Sequence, residues 1–360
     1  MSETMSDDMK DMKEVHKTSS KDLLYWYLEN TVDSRVPRAL TGKVNVKKMG
    51  PVMCVQVDES LKSVFHKLAV EGFTGAPVVD GSSYVGFISI LDLVKFTYNL
   101  FWGDKVEEWV NFWEKEQKFC NSLVSDILLK PDEFMRDPFP PVMRDFSCFH
   151  AFETMAKTGL HRLCVLDKTT KRITGIYTQS MIISELRQYK DLMGDSLRKL
   201  QVKEFLNEVG NPVISIKENE KAITAFNTMH ERNVSGLAVV NENGVLVNTI
   251  TAKDLRGVGT SGEYFFRLFK PVAEYKQLAV EAFPKLAPST HFNPKSVPTT
   301  GLFVKPSDTL DRVIELMEDG NIHRVFVCSE ESVAKDAPVP THVIAQRDVI
   351  SVVLKRMIGT

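Results

Sequence analysis

Two periods of hydrophobicity alternate along this chain, and the alternation occurs four times. Short apolar runs read as strands at 75–80, 162–167, 236–241 and 324–329. Each follows an amphipathic stretch, at 60–68, 148–155, 222–229 and 309–317. Leu61, Val64, Phe65 and Leu68 fall at i, i+3, i+4 and i+7, the spacing of one helix face. Val313, Ile314 and Met317 do the same. After each strand come a turn, a third strand and a closing helix. The expected fold class is therefore α/β (α+β), with four units that each carry a short β-sheet and packed helices.

The units end alike. Gly-Phe-Ile-Ser-Ile-Leu-Asp closes the first at 86–92, Asn-Thr-Ile-Thr-Ala-Lys-Asp the third at 248–254, and His-Val-Ile-Ala-Gln-Arg-Asp the fourth at 342–348. The second closes with Gly-Ile-Tyr-Thr-Gln-Ser-Met at 175–181, so Met181 stands where the others have Asp. An internal repeat of this kind decides the fold before any other feature. The closing positions 92, 181, 254 and 348 are unevenly spaced, which indicates full domains with variable loops rather than a fixed-period solenoid. Each unit is too small to bury its own sheet and helices well, so the units should pair.

The repeated ending also carries chemistry. Ser89 stands three residues before Asp92, and Thr251 three before Asp254, while Thr178 keeps the hydroxyl in repeat two and Ala345 replaces it ahead of Asp348. A hydroxyl and a carboxylate at a helix N-terminus suit a nucleotide's ribose and phosphate. Any one Asp there could be only a helix cap, which Asp does well. Three at one recurring position favour a ligand role, and one residue can do both. Asp254 has the fullest local context, with Thr251 and Lys253 beside it. Lys253 and Arg347 directly precede their Asp residues and add positive charge. In the even repeats the second strand opens on His161-Arg162 and His323-Arg324. These could be core histidines with surface ion pairs. Their recurrence in both even repeats favours phosphate contact, for which the guanidinium fork and the imidazole are well suited.

On these residues the chain resembles proteins of four cystathionine-β-synthase (CBS) motifs arranged as two Bateman modules. It resembles most the gamma subunit of AMP-activated protein kinase and its fungal and plant relatives. The His-Arg pairs of repeats two and four, and the missing Asp of repeat two, are shared with that subunit. The resemblance implies a disc of paired modules and adenine nucleotides in the clefts between paired repeats. It implies AMP, ADP or ATP as regulatory ligands, with no covalent cofactor, Asp on the ribose, and His and Arg on phosphates in a central channel. Its partners would be kinase alpha and beta subunits. Two departures stand out. Thr74 occupies a place where the family has Arg, and Gln179, Ser180 and Met181 replace basic residues. The closing segment of repeat three, Asp254-Leu-Arg-Gly-Val-Gly, is broken early by glycine. In this it resembles the four-repeat fungal regulators of type 2A protein phosphatases equally well, so a phosphatase scaffold or inhibitor is the alternative.

The expected boundaries are 1–20 polar and mobile, 21–43 a helical segment, 44–98 motif one, 99–121 a linker helix and 122–190 motif two. Motif three spans 200–258, a connection 259–293, and motif four 294–357. The modules run over about 44–190 and 200–357. The helical segment carries Leu-Leu-Tyr-Trp-Tyr-Leu at 23–28, whose apolar surface needs a partner. The linker region holds Tyr98, Phe101, Trp102, Trp109, Phe112 and Trp113 at helical spacing, either packed on the first module or docking another protein. Pro131 to Pro141 is a Pro-rich insertion before repeat two.

Composition narrows the classes. At 360 residues the chain suits about two domains, and 43% hydrophobic content supports packed cores. A net charge of −2 argues against nucleic acid as the main ligand. No apolar run reaches membrane-spanning length. Five scattered cysteines without a CxxC pair or signal peptide point to the reducing cytosol or nucleus. Cys164 and Cys328 sit in apolar strands and read as buried thiols. GxGxxG, P-loop, HExxH and GxSxG motifs are missing, as are kinase signatures, so neither enzyme nor metal chemistry is expected.

Overall fold

The computed structural model describes residues 20–30, 52–101, 109–128, 141–170, 172–259, 264–286 and 302–359. The polar stretch before residue 20, the Pro-rich insertion up to residue 140, residues 260–263 and 287–293 of the connection and residues 294–301 of motif four lie outside them.

Each repeat folds as expected. Its first short strand lies parallel to the second, and the third runs antiparallel to the second. The strands are Val55–Gln56, Gly75–Asp80 and Ser83–Ser89 in repeat one, and Val142–Met143, Arg162–Leu166 and Ile173–Thr178 in repeat two. They are Ser215–Lys217, Gly236–Val240 and Leu246–Thr251 in repeat three, and Phe303–Val304, Arg324–Cys328 and Pro340–Ala345 in repeat four. Asn211–Pro212 adds a fourth strand to the last sheet.

Between the first and second strands lie the opening helices Leu61–Glu71, Cys148–Thr158, Ala222–Glu231 and Leu310–Asp319. Ser60, Ser147 and Thr309 cap three of them by accepting a backbone N–H, which satisfies donors the helix itself leaves open. All four exit through a left-handed residue: Gly72 (φ 76), Gly159 (φ 75), Asn233 (φ 52) and Asn321 (φ 46). Glycine and asparagine are the residues that tolerate this conformation. The exit turns the chain toward the next strand, and so places residues 74–75, 161–162, 235–236 and 323–324 at equivalent points.

The helices that flank the repeats are exchanged in pairs. Val124–Leu128, which precedes repeat two, docks on repeat one through the Ser60–Leu123 bridge. Ser20–Glu29, which precedes repeat one, docks on repeat two, where Cys148 N donates to Asn30 O at 2.7 Å. Val202–Val209 docks on repeat four and Val272–Leu286 on repeat three, through the Gln201–Thr309 and Lys221–Pro271 bridges. Repeats one and two are thereby interlocked, and so are three and four. Their sheets also meet, around Phe87, Cys164 and Leu166 in one module and Ala238, Val240, Phe326 and Cys328 in the other. Burial pushes the Cys164 and Cys328 thiols up to about 12, so both are inert core residues.

The larger cores join the modules. One continuous core combines repeats one and three, the other repeats two and four. The four repeats therefore close into a disc in the order one, two, four, three. The closing helices make this contact. Ile90–Phe101 packs on the opening helix of repeat three, Gln179–Gln188 on that of repeat four, and Gln346–Ile358 on that of repeat two. Repeat three breaks the pattern. Its closing element is a 3-10 turn, Ala252–Val258, stopped at Gly259 (φ 96).

The opening helix of repeat one is covered instead by the linker helix Trp109–Asn121. Phe119 of this helix is buried against Phe65 and Phe265, with ring centroids at 6.1 and 5.0 Å. The linker is thus core on its inner side. Trp113 faces outward and is 64% exposed. The side chains of Trp102, Trp109 and Phe112 lie outside the described residues. The N-terminal helix finds its partner inside the chain, with Leu23 and Tyr27 buried in the core of repeats two and four.

Candidate functional site

The three closing Asp residues share one geometry. One oxygen of each accepts the backbone N–H three residues earlier: Ser89 N to Asp92 at 2.7 Å, Thr251 N to Asp254 at 2.7 Å and Ala345 N to Asp348 at 2.8 Å. The Ser89 and Thr251 hydroxyls donate to the same oxygens, at 2.7 and 3.0 Å. Thr178 occupies this place in repeat two and accepts Met181 N at 3.2 Å. The cap reading therefore holds for all three carboxylates, and it engages one oxygen of each. Asp348 is buried outside any ion pair among the described residues. Burial raises its carboxyl to about 6, against the pull of Arg347 and the Ala345 N–H.

The second-strand residues alternate between the repeats. Even repeats carry His161-Arg162 and His323-Arg324, and odd repeats carry Thr74-Gly75 and Ser235-Gly236 at the same point after the left-handed turn. The two sets interlock across each module. Arg162 donates to the Thr74 hydroxyl at 2.8 Å and lies over the Phe87 ring at 4.8 Å. Arg324 donates to the Ser235 hydroxyl. Its guanidinium lies across Gly236, so closely that a Cβ there would stand 2.1 Å from Nη1. Thr74, read in the sequence as the loss of an Arg, is thus the acceptor for the Arg of its neighbour. Sequence reasoning missed Thr74 and Ser235 as acceptors, although the hydroxyl-Gly dipeptide opposite each His-Arg was a usable signal.

Cations from three repeats converge at the centre. Lys253 Nζ is 3.5 Å from His323 Nε2. His323 is held well below its ordinary value by burial, then by the charges of Lys253, Arg324, His161 and Arg162. Lys253 is lowered to about 8 by burial, then by Arg256, Arg324 and Arg162, with Asp254 opposing. Burial draws Arg256 and Arg324 to about 10, where both remain charged at neutral pH. Lys253, His323 and Arg324 are ringed by protein yet keep partial solvent contact, and His161 is exposed. Such groups sit at a partly solvated point between the repeats rather than in a packed core. Arg256 donates to Phe73 O at 2.8 Å and ties repeat three to repeat one. Sequence reasoning did not single it out.

The remaining candidates stay at their own helix starts. Ser89, Asp92 and Thr178 make the local caps described above. Arg347 is exposed, and its guanidinium approaches to about 3 Å the point where a Cβ on Gly159 would stand. At the junction of repeats two and four, Ser180 donates to Gln346 Oε1 at 3.1 Å. The carboxylate of Asp254 has a further partner, since Lys276 Nζ binds its second oxygen at 2.9 Å.

No group of three or more His, Cys, Asp or Glu among the described residues could hold a metal ion. No described helix is long and apolar enough to cross a membrane.

Comparison with known proteins gives a consistent result. The family model described as CBS domain matches residues 46–99, 124–188, 202–259 and 295–355, well over half of the chain. An Arabidopsis thaliana protein, SNF1-related protein kinase regulatory subunit gamma-1-like, is 28% identical over 66% of this chain and 50% of its own length. Protein SDS23 of Candida albicans is 26% identical over 53% of this chain and 29% of its own length. The alignments thus span half or less of these curated relatives. Among solved structures, Methanocaldococcus jannaschii MJ1225, a proposed archaeal homolog of g-AMPK, superposes with a TM-score of 0.59. It is 17% identical over 85% of this chain and 99% of its own. That likeness speaks to the fold.

Proposed function

Since the chain belongs to the CBS-domain family, we propose that it is a non-catalytic regulatory subunit of the gamma type, which senses AMP, ADP or ATP and modulates a protein kinase. One observation carries the nucleotide part. Lys253 Nζ lies 3.5 Å from His323 Nε2, and His323 feels the charges of Lys253, Arg324, His161 and Arg162 from three repeats. The positive charges of Lys253, Arg324 and Arg162 gathered there raise the free energy of the empty protein, and a polyanion relieves it. Phosphates would enter there, while a repeat carboxylate accepts the ribose hydroxyls. The kinase partner, with its alpha and beta subunits, rests on the family resemblance and on the name of the Arabidopsis relative. The compartment proposed is the cytosol or nucleus.

A ligand at a hundred times its Kd stabilises the folded state by about 2.7 kcal/mol. AMP, ADP or ATP should therefore raise the melting temperature of the wild-type protein by several degrees, read by thermal shift and matched by calorimetric binding. Absence of a shift with all three would sink the sensor reading. Gly236→Ala offers a finer check. It adds no charge and removes none, but its Cβ would displace the Arg324 guanidinium. It should weaken nucleotide binding roughly tenfold, the loss expected of one charge-assisted hydrogen bond. Unchanged binding in a folded Gly236→Ala protein would show that Arg324 does not need its present seat.

A second reading is a scaffold or inhibitor of a type 2A phosphatase, with nucleotide secondary. The early break of repeat three favours it, being the feature shared with the fungal regulators of those phosphatases. Binding of a purified phosphatase catalytic subunit, together with silence toward nucleotides, would establish it.

A further inference from the structure

The exchanged helices that dock on repeats one, three and four are related residue by residue. Leu61 N, Ala222 N and Leu310 N donate to Ser122 O, Lys270 O and Leu200 O. Val124, Val272 and Val202 then donate to Glu59 O, Glu220 O and Asp308 O. Continuing along the helices, Ile127, Tyr275 and Phe205 are the equivalent buried residues. The next positions are Leu128, Lys276 and Leu206. Repeat three alone among these has a phenol and an ammonium where the others are apolar.

Both of these side chains reach one residue. Lys276, only 7% exposed, pairs with the second oxygen of Asp254 at 2.9 Å. The Tyr275 hydroxyl donates to the Asp254 carbonyl at 2.6 Å. Gly257 admits this approach, because a Cβ there would lie 2.8 Å from the Tyr275 oxygen and 2.9 Å from Ala279 Cβ. The early glycine of repeat three and the unusual helix over it therefore form one device. Both oxygens of Asp254 are engaged, one by the cap and one by the ammonium. A ribose would have to displace Lys276 and leave a buried ammonium without its counter-charge, which is strongly disfavoured.

We propose that Lys276 is a resident occupant of the third repeat's carboxylate, so that Asp254 takes no ribose and nucleotide is held through the repeat-four carboxylate of Asp348. The proposal rests on the nucleotide reading above for which sites are filled, but the closure of repeat three stands independently of it. It reverses the order read from the sequence, in which Asp254 had the fullest context.

The experiment is calorimetric titration with AMP of the full chain and its variants. Asp254→Asn should leave affinity within twofold and stoichiometry unchanged, whereas Asp348→Asn should lose one site or tenfold in affinity. Lys276→Leu, the residue of repeats one and four, should gain one site per chain. If Asp254→Asn costs a site or tenfold in affinity, repeat three is open and the inference is overturned, while the nucleotide reading survives. If a folded Lys276→Leu protein gains no site, the inference is likewise overturned. If the wild type binds nothing and Lys276→Leu binds one AMP, closure is established and the nucleotide reading fails for the native protein. Should Lys276→Leu not fold, Lys276→Gln, whose neutral side chain a ribose can displace without leaving a buried charge unpaired, is held to the same gain of one site.

Discussion

Arg324→Gln should weaken AMP and ATP binding at least tenfold, yet leave the ligand-free protein as stable as the wild type or more so. The two halves of this expectation have separate causes. A guanidinium–phosphate contact contributes about 1.5–3 kcal/mol, and tenfold in affinity corresponds to about 1.4 kcal/mol. In the empty protein the balance differs. Loss of the Ser235 hydrogen bond costs about 1 kcal/mol. Against that, burial draws Arg324 from 12.5 to about 10, and at ~1.4 kcal/mol per unit the charged form bears a penalty of roughly 3 kcal/mol. Relief of that penalty exceeds the lost bond. Arg162→Gln should act in the same direction but less strongly, since Arg162 also loses its seat on Phe87 and its bond to Thr74. Raised salt should weaken binding in the wild type more than in either variant. A thermal-shift series of the three proteins, with and without AMP, decides the matter. A purely structural role for these arginines requires the reverse pattern, a lower melting temperature in the empty variants and an unaltered ligand response.

The repeated unit was legible because each of its parts has a local cause. The i, i+3, i+4, i+7 spacing of Leu61, Val64, Phe65 and Leu68 produced the helix it implied, and the apolar runs produced the central strands. The closing carboxylates were legible as caps for the same reason, since the partner of each lies three residues away. What escaped depends on contacts distant in sequence. The Thr74-Gly75 dipeptide stands where the even repeats have His-Arg, but only the pairing of repeats brings Arg162 to it, and nothing near Asp254 indicates Lys276. The exchange of flanking helices brings the second pair together, and exchange is a property of the tertiary fold. The linker aromatics show the same limit. Their spacing allowed a packed helix or a docking face, and the choice followed from the missing closing helix of repeat three. That absence leaves the opening helix of repeat one uncovered, and Phe119 fills the space.

AMP affinity should fall as pH rises from about 7.5 to 9.5, and Lys253→Met should remove most of that dependence. Lys253 is the group responsible because its folded value, about 8, lies within reach of ordinary buffers. Burial is the main cause, and the neighbouring charges of Arg256, Arg324 and Arg162 add to it, with Asp254 opposing. A phosphate beside the ammonium favours the charged form, so binding takes up a proton wherever the empty protein has begun to lose one. Between the empty and bound values, affinity then drops by up to about tenfold per pH unit. His323, held far below its usual range, adds proton uptake only at lower pH. Asp348 works with the opposite sign. Ribose hydroxyls favour its carboxylate, so binding there releases a proton, but only near and below its value of about 6. A nucleotide monophosphate also titrates near 6. Above pH 7, therefore, Lys253 stands alone. The same shift sets the stability of the empty protein. The unfolded chain keeps its proton to 10.5 and the folded chain only to about 8, so stability declines as pH falls through that window and is level below it. The accumulated penalty is roughly 3 kcal/mol at ~1.4 kcal/mol per unit, and Lys253→Met should regain part of it as a higher melting temperature at neutral pH. Calorimetry at pH 8 in Tris and in HEPES measures the proton directly, because the two buffers differ in ionisation enthalpy. Equal observed enthalpies in the two buffers, with affinity flat from pH 7.5 to 9.5, would place the phosphate away from Lys253 and from the central cluster.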